Sequence, residues 1–308
     1  MSFSGLRDIF MGSFGADYCV KAILFLKSPK SVKEYLTGIH KITFPDGDND
    51  KNRKLSAYPH IERTPNVTPI RERDLSNPRF MKKQADKLSF DISRFAEFLS
   101  GYDKVGDDIK PIMLHYAMIY LFDFFTRTWL KYGRNPSHGV TFKQPKKGSS
   151  VNEYRVEIRT NGIFPRAVDA FYLLDQSSLF SPDDDTGIGY QLDLKGQSIS
   201  ERIGKMRYSE CPKISLGHLF TVYDKLGKVV GSVSKSNPIL VGYLILHITS
   251  SISRYYAEDW FEIRENRNLK NQFELLQYDF LYKWTHEILM QTILRRGLKE
   301  ELSISNEQ

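Results

Sequence analysis

The feature that most constrains this chain is the stretch from residue 112 to residue 130, which is almost entirely apolar or aromatic. Pro111 precedes it and suits the first turn of a helix, where a missing N–H is harmless. A helix that is apolar on every face is buried in a core or spans a membrane. His115, Asp123 and Arg127 interrupt the run, and an ionisable group at bilayer depth costs about 2.5 kcal/mol or more. We therefore predict a buried helix over residues 110–132 and no membrane span.

Asp123 and Arg127 are four residues apart, with the acid first. That order favours an ion pair on one face of a helix. His115 lies near the same face, two turns earlier. Two interpretations stay open, a polar seam against a neighbouring helix or one side of a functional pocket.

A compact polar turn, RNPSHG, follows at residues 134–139. Gly133 is a plausible helix end, and Asn135-Pro136 favours a turn. His138, flanked by small residues and close to Arg134, is a candidate acid, base or anion contact. The alternative is that the His138 ring only holds the turn together.

Three further helices are predicted around the central one. Asn77-Pro78 and Asn237-Pro238 each read as an N-cap followed by the first helical residue, and apolar residues follow at helical spacing. The resulting helices cover 77–100, 238–262 and, near the end of the chain, 269–296. Within the second of these, His247 and Arg254 are seven residues apart and share a face. A shorter helix is expected at 214–223.

The hydrophobic period changes to two after His138. Tyr154, Val156 and Ile158 alternate with charged residues, which indicates a strand. Asn161-Gly162 is a hairpin signal, so we expect a return strand to begin at Ile163. The fold class is therefore α+β, predominantly α, with a helical core of about four long helices and a small antiparallel β-sheet inserted after the central helix.

Composition divides the chain into three parts. Residues 1–76 form an N-terminal segment with a basic, proline-containing loop that extends from 44 to 77. Residues 77–300 form the helical core, with the small sheet at 140–165. Residues 301–308 are a polar tail.

The net charge of +7 is unevenly distributed. Residues 51–83 hold nine basic and three acidic side chains. A concentrated basic patch favours an acidic partner such as nucleic acid, although a solvated loop would have the same composition. The candidate nucleic-acid contacts are Lys51, Arg53, Lys54, Arg71, Arg73, Arg79, Lys82 and Lys83.

Several classes of protein find no support in the sequence. Cys19 and Cys211 are too few for a disulfide framework, which favours the cytoplasm, and the first residues do not form a secretory signal. The acids at 183–185 match no EF-hand spacing. No phosphate-binding loop, G-x-S-x-G or H-E-x-x-H motif occurs. We predict no cofactor and no metal site.

Four motifs, in the same order, resemble the YaaC-like family of bacterial proteins, a family without a settled activity. They are PIMLHYAMIYLF closed by SHGV, the strand ending in NGIF, SLGHLFTVY, and LVGYLILHITSSISRYYAEDW. The resemblance covers roughly residues 77–294. It implies a cytoplasmic bacterial protein, plausibly in a defence or mobile-element context. Tyr120 and Asp123 depart from the Asn and Lys expected there, so we expect any activity that depends on those positions to differ.

Three functional hypotheses follow. The first is an interaction or regulatory subunit that binds a protein partner or forms a homo-oligomer. The alternative is a nucleic-acid-binding protein or a HEPN-like ribonuclease using Arg134 and His138, whose spacing of three intervening residues is shorter than in HEPN motifs. The third is an enzyme for a small anionic ligand. The candidate catalytic residues are His138, Arg134 and Arg254, and the candidate binding residues are Tyr116, Asp123, Arg127, Ser137, Gly139 and Tyr255.

Overall fold

The computed structural model describes residues 16–43, 68–70, 72–131, 137–159, 162–175, 213–228, 237–285 and 288–289. Of these residues, 76% are helical, and the rest include a small three-stranded antiparallel sheet. The predicted fold class, α+β and predominantly α, is therefore confirmed. None of the described helices is long and apolar enough to cross a membrane.

The N-terminal part contributes helices α1 (Ala16–Leu26) and α2 (Pro29–Thr43). A two-residue strand β1 (Thr68–Pro69) and a short helix α3 (Glu72–Leu75) come next, within a stretch that was predicted to be an irregular loop. Two contacts join this N-terminal part to the core. The Ser89 hydroxyl donates to the Lys27 carbonyl, and the Tyr35 ring stacks on Phe124 at 6.4 Å.

Helices α4 (Pro78–Tyr102) and α5 (Lys110–Trp129) form the central antiparallel pair. Asn77 caps α4 by accepting from the backbone N–H groups of Arg79 and Phe80, as predicted. The interior of α5 is buried on most faces, which confirms the prediction of a buried helix. It ends earlier than expected, however, because residues 130–131 leave the helix as strand β2 (Leu130–Lys131) and pair with β1.

The small sheet has the order β3–β4–β5, with strands β3 (Val140–Lys143), β4 (Arg155–Ile158) and β5 (Lys213–Ser215). The predicted return strand at Ile163 is wrong, because helix α6 (Ile163–Asp175) begins there. The partner of β4 on its second edge comes instead from β5, with Val156 opposite Ile214. Ile214 was expected in a helix, but helix α7 begins after it (Leu216–Lys228).

Helix α8 (Pro238–Tyr255) is the second buried helix, and Asn237 caps it as predicted by accepting from Ile239. A single helix over 238–262 is wrong, because the chain turns at Tyr256 and continues as α9 (Ala257–Glu265). Helix α10 (Arg267–Asp279) follows and runs into a π-helical turn at Phe280–Trp284. The predicted continuation to residue 296 lies mostly outside the described residues.

Candidate functional site

Three histidine rings from separate parts of the chain meet between α5, α8 and the start of β3. The ring centroids of His115 and His247 are 5.0 Å apart. Those of His115 and His138 are 5.7 Å apart, and those of His138 and His247 are 6.0 Å apart. We call this group the histidine cluster (His115, His138 and His247).

Two of the rings come from otherwise apolar helices. His115 lies on α5 and is 3% exposed, and His247 lies on α8 and is 7% exposed. Because both helices are apolar around these positions, the rings are desolvated when the helices pack. The Tyr243 ring lies 5.7 Å from His115 and closes the cluster on the apolar side.

The third ring, His138, is held by its own backbone. The carbonyl oxygens of Ser137 and His138 accept from the first N–H groups of α6, those of Ile163 (3.2 Å) and Phe164 (3.1 Å). The Tyr243 hydroxyl donates to the same His138 carbonyl at 3.5 Å. The turn is thus fixed by the start of a helix that the sequence analysis expected to be a strand.

Two glycines allow the turn that contains His138 to lie close to the start of α6. A Cβ at Gly162 would lie 2.1 Å from the Cα of Gly139, and φ is +142° at Gly162 and +79° at Gly139. Both values belong to the region that side chains disfavour. The segments 137–139 and 162–164 therefore meet backbone to backbone, and this contact positions His138.

A chain of hydrogen bonds links the buried members of the cluster. The Nδ1 atom of His115 lies 3.1 Å from the Ser250 hydroxyl, and its Nε2 lies 3.1 Å from Nδ1 of His247. The direction of both contacts depends on the tautomer of His115. In the arrangement in which the Ser250 hydroxyl donates to Nδ1, His115 donates through Nε2 to His247, and His247 carries its proton on Nε2.

All three histidines are neutral at pH 7. Burial, together with His247, His138 and Arg254, holds the pKa of His115 well below its usual value. Burial, reinforced by His138 and Arg254, lowers the pKa of His247 to about 3. Burial and Arg254 also lower the pKa of His138. The cluster therefore offers unprotonated imidazoles beside one permanent cation.

Two ring nitrogens in the cluster have no hydrogen-bond partner among the described residues. They are Nε2 of His247 and Nδ1 of His138, and both atoms are buried. A buried polar atom without a partner costs free energy of about 1–3 kcal/mol. A ligand with polar oxygen atoms would satisfy both nitrogens at once.

Arg254 supplies the charge at the outer end of the cluster. It lies exposed in the last turn of α8. Its guanidinium carbon is 5.6 Å from the Tyr116 ring and 5.4 Å from the Tyr255 ring. A guanidinium in this position is suited to a phosphate or carboxylate group.

The structure therefore brings together several of the residues named from sequence: His138, Ser137, Gly139, Arg254, Tyr116 and, at the exposed edge, Tyr255. Arg134 lies outside the described residues. The sequence analysis left His115 open as one side of a functional pocket, but it gave no catalytic or binding role to His247, Ser250 or Tyr243. The available signal was a lone histidine in each of two apolar helices, and it does not say that the two helices pack together.

Asp123 and Arg127 form a separate polar group with Asp91 of α4. Arg127 pairs with Asp123 at 3.2 Å and with Asp91 of α4 at 3.3 Å, and its carbonyl accepts from the Gln84 side chain. Burial and the neighbouring Asp123 raise the pKa of Asp91, against the opposing effect of Arg127. The geometry fits the polar-seam interpretation.

Only some of the candidate nucleic-acid residues lie in the described part of the chain. Arg73, Arg79, Lys82 and Lys83 are exposed at α3 and at the first turns of α4. Lys51, Arg53, Lys54 and Arg71 lie outside the described residues, as do the acids at 183–185. Within the described part of the chain, no group of three or more His, Cys, Asp or Glu side chains is arranged to hold a metal ion.

The chain was compared with protein-family models, curated proteins and solved structures, and none of them matches it. The resemblance to the YaaC-like family stays a prediction.

Proposed function

We propose that this protein is a ribonuclease that cleaves RNA at the histidine cluster, with His138 as the general base and Arg254 binding the scissile phosphate. The observation that carries the proposal is a pair of buried nitrogens on His138 and His247 that have no hydrogen-bond partner among the described residues, in a cluster whose outer end carries the exposed guanidinium of Arg254. Two imidazoles and a cation are the groups that phosphodiester transfer requires. The resemblance to the YaaC-like family supports a cytoplasmic bacterial protein with a role in defence or mobile-element biology.

The chemistry assigns a role to each group. The neutral His138 removes the proton from a ribose 2′-hydroxyl through Nδ1, the ring nitrogen that has no hydrogen-bond partner among the described residues. The 2′-oxygen attacks phosphorus, a 2′-O–P bond forms and the P–O5′ bond breaks. His247 donates from Nε2 to a phosphoryl oxygen, and Arg254 balances the charge that develops there. The 5′-oxygen takes a proton from water, and His138 returns its own proton to solvent.

The ribose 2′-hydroxyl makes the proposal testable. Wild-type protein should cleave a short single-stranded RNA in the presence of EDTA and leave a 2′,3′-cyclic phosphate. The same sequence as DNA or 2′-O-methyl RNA should stay intact. His138→Gln and His247→Gln should each lower the rate by roughly 100-fold or more.

His218→Gln is the matched control, because this histidine lies on α7, a helix that contributes no member of the histidine cluster. Its rate should stay at the wild-type level. Absence of cleavage by purified wild-type protein would overturn the proposal. So would cleavage that persists unchanged in both cluster variants, since a contaminating nuclease would then be responsible.

A second candidate is the interaction or regulatory subunit expected from the sequence. The observation that favours it is a group of large apolar side chains exposed on α9 and α10: Phe261 (60%), Leu275 (45%) and Tyr278 (51%). Light scattering across a concentration series would test for a homo-oligomer through this surface. A monomeric mass that is unchanged by Phe261→Ser and Tyr278→Ser would count against self-association.

A further inference from the structure

A row of aromatic rings extends from the histidine cluster along the junction of α4 and α5. Phe98 stacks on Tyr116 at 5.3 Å and on Tyr120 at 5.7 Å. Tyr120 meets Phe90 edge to face at 6.1 Å. At the other end, Arg254 lies over both Tyr116 and Tyr255. We call these five rings the aromatic track (Phe90, Phe98, Tyr116, Tyr120 and Tyr255).

The rings of the track are accessible in different degrees. Phe90 is 51% exposed and Tyr255 is 67% exposed. Phe98, Tyr116 and Tyr120 are partly buried and pack on the core with one side. Such rings present a firm flat surface, because their inner sides are held by the core while their outer parts face solvent.

Basic side chains accompany the rings. The guanidinium carbon of Arg94 lies 5.2 Å from the Phe90 ring, and the same side chain pairs with Glu97 at 2.7 Å. Lys83 and Lys87 precede Phe90 and Arg94 on α4 at spacings of four, three and four residues, which places all of them on one face of the helix. Lys83 to Phe98 spans about 22 Å at about 1.5 Å per residue.

The track is continuous with the candidate site. The Tyr116 ring lies 5.9 Å from the ring of His115, and Arg254 belongs to both groups. Alternating rings and cations along a groove are the features that bind single-stranded nucleic acid, because every base has a face that can stack while the cations follow the phosphates. A duplex hides those faces.

We propose that the aromatic track binds single-stranded RNA, with unpaired bases stacked on its rings and the backbone following Lys83, Lys87, Arg94 and Arg254. This inference rests on the proposed function only for the position of the scissile phosphate, which Arg254 would hold beside the histidine cluster. The basic residues at the start of α4 then extend the same surface, which links them to the site.

The test measures binding apart from cleavage. A fluorescent, 2′-O-methyl single-stranded RNA serves as a probe that the proposed reaction cannot cleave, and fluorescence anisotropy gives its affinity. The double variant Phe90→Ala/Tyr255→Ala removes two exposed rings, so the fold should persist in a thermal melt. We expect affinity to fall roughly tenfold or more for each ring. Lys83→Gln and Lys87→Gln should each flatten the salt dependence by about one phosphate contact.

The matched control is Phe261→Ala/Tyr278→Ala, which removes two equally exposed rings on α9 and α10. It should bind like the wild type, and a duplex of the same sequence should bind much more weakly than the single strand. Absence of single-strand binding, equal binding of the duplex, or equal loss in both double variants would overturn the proposal. A DNA version of the probe shows whether the ribose contributes.

The two proposals fail separately. If the wild-type protein binds RNA through the aromatic track but cleaves none, the ribonuclease proposal is overturned and the RNA-binding proposal stands. If cleavage depends on His138 and His247 but the track variant changes neither binding nor KM, the RNA-binding proposal is overturned and the ribonuclease proposal stands.

Discussion

The Nε2 atom of His115 lies 3.1 Å from the Nδ1 atom of His247, although the two residues are 132 positions apart in the chain. This contact joins two long buried helices, α5 and α8, through polar side chains. His115 also bonds the Ser250 hydroxyl, so the tautomer of His115 couples this hydroxyl to the tautomer of His247.

Ser250→Ala should disturb the site more than it disturbs the fold. Its loss removes the hydrogen-bond partner of Nδ1 of His115, so the tautomer of the His115–His247 pair is no longer constrained from that side. We expect a stability loss of about 1–2 kcal/mol and a fall in kcat with little change in KM. Denaturant unfolding and steady-state RNA cleavage would check this.

Ser251→Ala is the control for Ser250→Ala. The Ser251 hydroxyl is also buried, but it donates to the carbonyl of His247 within the same helix. Its removal should leave kcat unchanged. Equal kinetic effects of the two variants would show that the hydroxyl of Ser250 does not position the ring.

Gly162→Ala should displace His138. The added Cβ would lie 2.1 Å from the Cα of Gly139, so the turn and the start of α6 must separate. We expect a loss of about 2–4 kcal/mol in the free energy of unfolding and loss of RNA cleavage. Gly148→Ala is the matched control, because Gly148 also has positive φ but faces open space. It should cost only about 1–2 kcal/mol of backbone strain.

Arg127→Met should be strongly destabilising, because it leaves Asp91 and Asp123 without their shared cation. Removing one partner of a buried pair costs about 3–5 kcal/mol. Arg94→Met, which breaks the exposed pair with Glu97, should cost less than about 1 kcal/mol. Chemical denaturation of both variants measures the contrast, and similar losses would mean that burial of the Arg127 pairs is not what stabilises them.

Stability should fall with pH below about 6.5, through the histidine cluster. The groups that face one another there are His115, His138, His247 and Arg254. The folded pKa of His247 is about 3 and that of His115 lies well below its usual value, so as the pH falls below 6.5 the unfolded chain binds protons at these rings before the folded protein does. Each of these two histidines should then contribute a slope of about 1.4 kcal/mol per pH unit.

The double variant His115→Gln/His247→Gln lacks the contribution of these histidines to the slope. The contribution of the carboxylates is the same in the variant and in the wild type. Urea unfolding at several values between pH 6.5 and pH 4 should give a shallower dependence for the variant than for the wild type. Parallel curves would mean that these histidines are not held neutral in the folded protein.

Local signals in the sequence were enough for much of the fold. Asn77-Pro78 and Asn237-Pro238 begin helices because a side-chain cap and a fixed φ act within a few residues. The apolar run at 112–129 is a buried helix for the same reason of local periodicity. The predictions were wrong where contacts between residues far apart in the chain override a local signal. Asn161-Gly162 favours a hairpin, yet Gly162 instead accommodates Gly139, and β4 finds its second partner at β5.

Of the site, the sequence by itself determined that His138 and Arg254 are unusual, since each carries a polar group at the end of an apolar segment. Only the tertiary structure decided that His115 and His247 join His138, because packing α5 against α8 buries two rings that are far apart along the chain. Desolvation and hydrogen bonding between those rings depend on distances across the core. No spacing within either helix contains that information.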